Sequence, residues 1–376
     1  MNQKDIKMMT PTTTVLIFIM AAGFLVAVYR MLFGLGAATN LNDLWPWGFW
    51  ISFDVLGGVA MAAGGFIIAG AVYILNWKKY KPIVRPAILT AFFGYLLAAT
   101  AIFLDIGQSF RIYHPIYMWQ VNSIMFIVAI HVVLYTTTLA SESSPMFFEK
   151  LGMTKALNLI QKIMVPIVLF GVLLSTLHQS SLGAVYLIVP SKLSPLWYSS
   201  NLPYTFLVSA VLAGLSVVSF EIILSARAFK HKLPMDILSG LARGSLIVVV
   251  LYFVMKIWDL VTGPGLGAAF DGSTAGNMYL VEMVIGVILP LILLSMKNMR
   301  SRSNSIYTIN ILVIIGTIVN RMNVALFGLA EYTGRTGADY FPSLMEFVLT
   351  MAMVAFAVFG FKVSAKYLNL FPETQH

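Results

Sequence analysis

The sequence contains no cysteine. That absence excludes disulfides, covalent c-type haem attachment, Cys-ligated iron–sulfur clusters and thiol nucleophiles within the chain. Charge is almost as scarce, since Asp, Glu, Lys and Arg make up 10% of 376 residues, against about 25% in a soluble domain. Linkers, low-complexity stretches and any soluble domain are also lacking. What fills the chain is apolar: 59% of residues are hydrophobic and 13% aromatic, arranged in runs long enough to cross a bilayer. A β-barrel would alternate polar and apolar residues instead. The 28 Gly and 15 Pro scattered through the runs suit helices that pack closely and bend inside a membrane. The composition therefore predicts an all-α polytopic membrane protein.

Hydropathy places ten transmembrane helices at residues 12–29, 50–75, 87–104, 121–139, 163–181, 202–224, 241–260, 279–296, 306–325 and 346–367, forming a single integral domain over 1–376. Ala21-Ala22-Gly23 resembles a signal-peptide cleavage site, but the apolar run continues to Val28, which predicts a retained first helix. Of the 24 Lys and Arg residues, 18 fall at the N-terminus, in the even-numbered loops or in the tail. Short cytoplasmic loops collect positive charge, so both termini are predicted cytoplasmic. The net charge of +9 then reflects topology, not nucleic-acid binding. Six of the seven Trp lie at the external ends, as interfacial anchors or part of a docking surface.

Ionisable side chains inside a span cost roughly 2.5 to 3.5 kcal/mol on insertion scales, so each one needs a reason. Asp54, Asp105, His178, Lys256, Asp259, Glu282, Arg321 and Glu346 all fall in the outer third or at the outer ends of their helices, with Arg111 and His114 in the adjoining external loop. Lys256 and Asp259, three apart on one helix, are predicted to pair. Glu221 and Arg243, nearer the cytoplasm, are predicted to pair or to belong to an inner proton route with His131. Small residues such as Ala60 and Gly64 in the second span predict close helix packing. A b-type haem needs two histidines at matching depth, and the predicted boundaries set His131 and His178 roughly 10 Å apart in depth at 1.5 Å per residue. No haem is expected on that count. His178, Gln179, Ser180 and Ser181, with Asn122 and Ser123 nearby, offer donors around apolar walls beside Asp54 or Asp105. That is what a quinone ring requires: donors for two carbonyls and a proton acceptor.

At these residues the sequence resembles the NrfD/polysulfide-reductase membrane-subunit family, and within it the ten-helix HybB-like branch of periplasmic nickel–iron hydrogenases. The resemblance is carried by Phe33-Gly34-Leu35-Gly36, Pro46-Trp47-Gly48-x-Trp50-Ile51-x-Phe53-Asp54, Val84-Arg85-Pro86-Ala87, Val121-Asn122-Ser123, His178-Gln179-Ser180-Ser181-x-Gly183, Pro195-Leu196-Trp197, Phe220-Glu221 and Tyr340-Phe341-Pro342. These run in order along nearly the whole chain. The resemblance implies paired four-helix bundles in the prokaryotic cytoplasmic membrane and a haem-free subunit without iron–sulfur clusters of its own. It also implies menaquinone or ubiquinone as redox partner, with an extracytoplasmic ferredoxin-like iron–sulfur subunit relaying electrons from a catalytic subunit such as nickel–iron hydrogenase. On this reading Asp54 and His178 handle protons, Trp47, Asn122, Gln179 and Ser180 orient the ring, and Asp105, Arg111 and His114 line the mouth. One departure is Asp105-Ile106-Gly107-Gln108, where hydrogenase-type relatives carry Asp-x-Gly-Arg. Sulfur-metabolism and cytochrome-linked complexes share the scaffold and stay open as alternatives, as does redox-driven proton translocation. A secondary transporter would place its charges near the midplane, and a passive anchor would tolerate every polar change.

Overall fold

The computed structural model describes residues 6–45, 47–229, 232–335, 337 and 339–370. Lys4, Pro46, Lys230, His231 and His376 lie outside them. Among the described residues ten helices are long and apolar enough to cross a membrane: α1 Pro11–Phe33, α2 Trp50–Ile74, α3 Lys78–Asp105, α4 Ile124–Leu151, α5 Met164–Ile188, α6 Leu202–Phe229, α7 Met235–Thr262, α8 Thr274–Ser295, α9 Ser303–Arg335 and α10 Leu344–Tyr367. Among the described residues there is no strand.

Local chemistry sets several helix ends. Thr10 caps α1 by accepting from the Thr13 N–H, and Pro11 follows in the first turn, where its missing N–H costs nothing. Ser123 caps α4, which ends at Gly152 in the left-handed region at φ 67. Ser343 and Glu346 form a capping box on α10. Two predicted boundaries of α4 are thereby corrected. It starts at Ile124, leaving Asn122 outside the helix, and runs twelve residues past 139 to Leu151. Thr138, Glu142 and Ser143 lowered the hydropathy there, yet all three are buried: the polar stretch is a helix facing protein.

Helices α2 to α5 pack as one four-helix bundle and α6 to α9 as a second, joined along α2, α5 and α6. Helices α1 and α10 pair outside them, with α10 against α3. Helix α2 is the centre, 72% buried, whereas α1 is 11% buried and presents its side chains to lipid. The small residues of α2 allow this: a Cβ built at Gly64 would lie 2.8 Å from the Gly214 carbonyl oxygen on α6, and one at Gly65 would lie 2.4 Å from Ala91 on α3. Helices α8 and α9 meet the same way, a Cβ at Gly316 falling 2.0 Å from Gly286 Cα. Four π-helical segments, Trp50–Gly57, Gly70–Ile74, Val284–Ile288 and Asn323–Phe327, interrupt α2, α8 and α9. Such segments recur at functional sites, and three of them adjoin buried polar clusters.

Candidate functional site

The first cluster joins α2 to α10. Asp54 lies on the π segment at the head of α2, 6% exposed, and its Oδ2 accepts from Thr350 Oγ1 at 2.6 Å. One helical turn earlier, Trp50 Nε1 donates to the Glu346 carbonyl at 3.2 Å. The Glu346 carboxylate accepts from the Ser343 N–H at 2.9 Å, the Asn40 N–H at 3.2 Å and the Tyr340 hydroxyl. Burial, reinforced by that carboxylate, pushes the Tyr340 hydroxyl well above its ordinary range. It stays protonated, donating to Glu346 while accepting from the Phe49 N–H at 2.8 Å. Arg30 of α1 donates to the carbonyls of Leu104 at 2.6 Å and Ile106 at 2.5 Å, fastening the end of α3. There Asp105 keeps a buried Oδ1 without a partner.

The second cluster lies inside the first bundle. His178 of α5 is 0% exposed, and its ring centroid lies 5.9 Å from that of His131 of α4, the planes perpendicular at 89°. This corrects the predicted separation in depth. Helix α4 starts at Ile124 and the α-helical part of α5 runs to Val185, so each histidine sits seven residues from that end. The separation in depth that spoke against haem falls with it. His178 also packs on Tyr95 at 5.6 Å, and Tyr95 on Tyr135 at 4.5 Å, both tyrosines fully buried. Gln179 Nε2 donates to the Val59 carbonyl of α2 at 2.8 Å.

Buried polar atoms without a hydrogen-bond partner concentrate here. They include both His178 nitrogens, His131 Nδ1, Gln179 Oε1, the Tyr95 and Tyr135 hydroxyls, Ser175 Oγ and Glu142 Oε2. Leaving such groups unpaired costs about 1–3 kcal/mol each, which marks a place built for water, protons or a ligand. Sequence reading missed Glu142, although His131, Tyr135, Thr138 and Glu142 are spaced i, i+4, i+7 and i+11 and so share one helical face. That spacing was the available signal.

The other predicted residues fall in three places. Trp47 is half-buried and meets Tyr186 edge-on at 4.8 Å. Arg111 and Asn122 are exposed on the α3–α4 loop, where His114 stacks between Tyr113 at 5.1 Å and Tyr117 at 5.5 Å. Ser180 Oγ is spent on the Thr176 carbonyl at 3.0 Å. Asp54 accepts from Thr350 while both His178 nitrogens lack a partner, so the two share no hydrogen bond in the structure. Glu221 accepts from Thr90 Oγ1 at 2.6 Å while Arg243 is exposed, so the predicted Glu221–Arg243 pair is not formed.

The second bundle holds a third cluster, built on an ion pair. Lys256 pairs with Glu282 of α8 at 2.7 Å, not with Asp259, which accepts from Ser199 Oγ at 3.0 Å and Asn201 Nδ2 at 2.7 Å. Glu282 accepts further hydrogen bonds from Asn320 at 2.9 Å, Trp197 at 3.1 Å and Asn323 at 2.8 Å. Arg321, 1% exposed, donates to Asn320 Oδ1, the Phe206 carbonyl and Ser209 Oγ. The Lys256–Glu282 pair pins the second bundle, although Arg321 Nε and Asn323 Oδ1 there lack a partner, and more of the unpartnered polar atoms lie in the first bundle.

Comparison with known proteins agrees with the architecture. The family model described as "Polysulphide reductase, NrfD" matches residues 36–330. A Nitratidesulfovibrio vulgaris protein is 36% identical, covering 97% of this chain and 96% of its own length. The Escherichia coli K12 "Probable Ni/Fe-hydrogenase 2 b-type cytochrome subunit" is 31% identical over 93% of this chain and 89% of its own. A "Menaquinone reductase, integral membrane subunit" of N. vulgaris is 29% identical over 95% and 91%. With a family match over most of its length and ten membrane-crossing helices, this chain belongs to the NrfD polysulfide reductase family of integral membrane subunits.

Proposed function

We propose that this chain is the quinone-reactive membrane subunit of a respiratory redox complex, haem-free, exchanging electrons between an extracytoplasmic iron–sulfur partner and a menaquinone or ubiquinone pool. A hydrogenase-linked complex is the reading favoured by the E. coli relative. The observation that carries the proposal is the set of unpartnered buried polar atoms around His178, His131 and Gln179. Reducing a quinone takes two protons as well as two electrons, so its site needs groups that hold protons and have hydrogen-bonding capacity to spare. Asp54 and Asp105 supply carboxylates at the outer ends of α2 and α3, and the menaquinone-reductase relative supports the substrate class.

In the intact complex, His178→Ala lowers quinone turnover about 100-fold or more, the usual weight of a positioned acid–base group. Asp54→Asn lowers it comparably while the Thr350 contact survives as an amide hydrogen bond. Unchanged turnover in both variants contradicts the site.

A specific observation also favours a proton route through the first bundle. From His178 the unpartnered atoms continue through Tyr95, Tyr135 and Ser175 to Glu142, and α4 then runs on to Glu149, which is ion-paired with Arg85. This line replaces His131, Glu221 and Arg243 as the route toward the cytoplasm, retaining only His131. Glu142→Gln then abolishes proton uptake from the inner side of sealed vesicles while leaving quinone binding intact. Uptake at the native level in that variant rules out the route.

A further inference from the structure

A cleft lies at the end of the molecule away from the His178 cluster. It encloses about 240 Å³ between the last turn of α4, with Met146, Glu149 and Lys150, and the residues at and after the end of α10, Tyr367 and Asn369. Its charge is decided by one interaction. Arg85 at the start of α3 grips both Glu149 carboxylate oxygens, at 2.8 and 2.5 Å, and also donates to the Asn369 carbonyl at 2.8 Å. Glu149 is therefore neutralised, and the same guanidinium ties α3, α4 and the segment after α10 into the cleft floor. Two ammonium groups remain: Lys150, which lines the cleft and is exposed in the last turn of α4, and Lys366, which does not line the cleft but precedes the lining Tyr367 and sets its Nζ 5.9 Å over that ring.

We propose that this cleft binds the phosphate headgroup of an anionic diacyl phospholipid. The position fits, since the cleft lies where two membrane-spanning helices end, on the face carrying most of the lysines and arginines, and 49%-exposed Tyr367 marks the interface. The charge fits, because Lys150 and Lys366 carry two positive charges and the one carboxylate among the described lining residues, Glu149, is paired with Arg85. A lipid there bridges the first bundle to the α1–α10 pair on the side opposite the Glu346 and Arg30 contacts.

The test uses purified full-length protein in detergent, with bound lipid counted by native mass spectrometry after adding phosphatidylglycerol or phosphatidylcholine of matched chains. Phosphatidylglycerol binds preferentially to the native protein, and Lys150→Gln with Lys366→Gln weakens it about 30-fold, the combined weight of two interfacial cations. Lys155→Gln with Lys162→Gln, exposed lysines on the same face, leaves binding unchanged. Equal retention of both lipids, or an unaffected Lys150/Lys366 double variant, overturns the proposal. Displacement of the phosphatidylglycerol by inorganic phosphate alone also overturns it, by making free phosphate the ligand.

Discussion

At the residue scale, position in sequence identified the polar groups better than their partners. Lys256, Asp259, Glu282 and Arg321 were all legible as outer-third charges, because each is an ionisable residue in an apolar run. The predicted Lys256–Asp259 pair failed because Lys256 meets α8, which local spacing cannot reveal, and takes Glu282. Its removal should be costly. Lys256→Met leaves Glu282 buried with its charge uncompensated and destabilises the protein by about 3–5 kcal/mol, read as a lower thermal midpoint in detergent. Adding Glu282→Gln recovers part of that loss. If the single variant melts with the native protein, the pair is not holding the second bundle.

At the element scale, the ten helices were readable from hydropathy, and the errors fall where polar residues face inward. Thr138, Glu142 and Ser143 shortened predicted α4 by twelve residues and hid Glu142, and two displaced helix ends separated two histidines that are neighbours. The π segment carrying Asp54 left no sequence signature either, since it depends on how α2 packs between α3 and α10. The small-residue reading of α2 did transfer to structure, and it extends to α8 and α9. Gly316→Leu forces a side chain into Gly286, where even a Cβ meets the neighbouring Cα at 2.0 Å. Helices α8 and α9 must separate, at a cost of 1–3 kcal/mol or more by the usual scale of overpacking. Gly36→Leu, where a Cβ meets nothing within 4 Å, has no such effect on the melting midpoint.

At the scale of the whole molecule, the bundles divide the work. The second bundle pairs Lys256 with Glu282, and the first holds the larger share of the unpartnered polar atoms, in a line from the histidine pair toward Glu142. The cysteine-free sequence makes the orientation directly testable, because one introduced cysteine is the only thiol. A cysteine at Met118, exposed on the α3–α4 loop, labels from outside intact cells with a membrane-impermeant maleimide. One at Lys155 labels only after the membrane is opened. The reverse pattern would invert the topology and move the histidine pair to the cytoplasmic side.

The central claim is that the His178 cluster serves a quinone. The most direct measurement is menaquinone bound per protein, with quinone turnover, in the purified complex carrying native His178 or His178→Ala, each checked for an unchanged melting midpoint. The account predicts retained quinone in the native complex, with turnover reduced at least 100-fold in the variant. A folded variant that keeps both its quinone and its native turnover would contradict it.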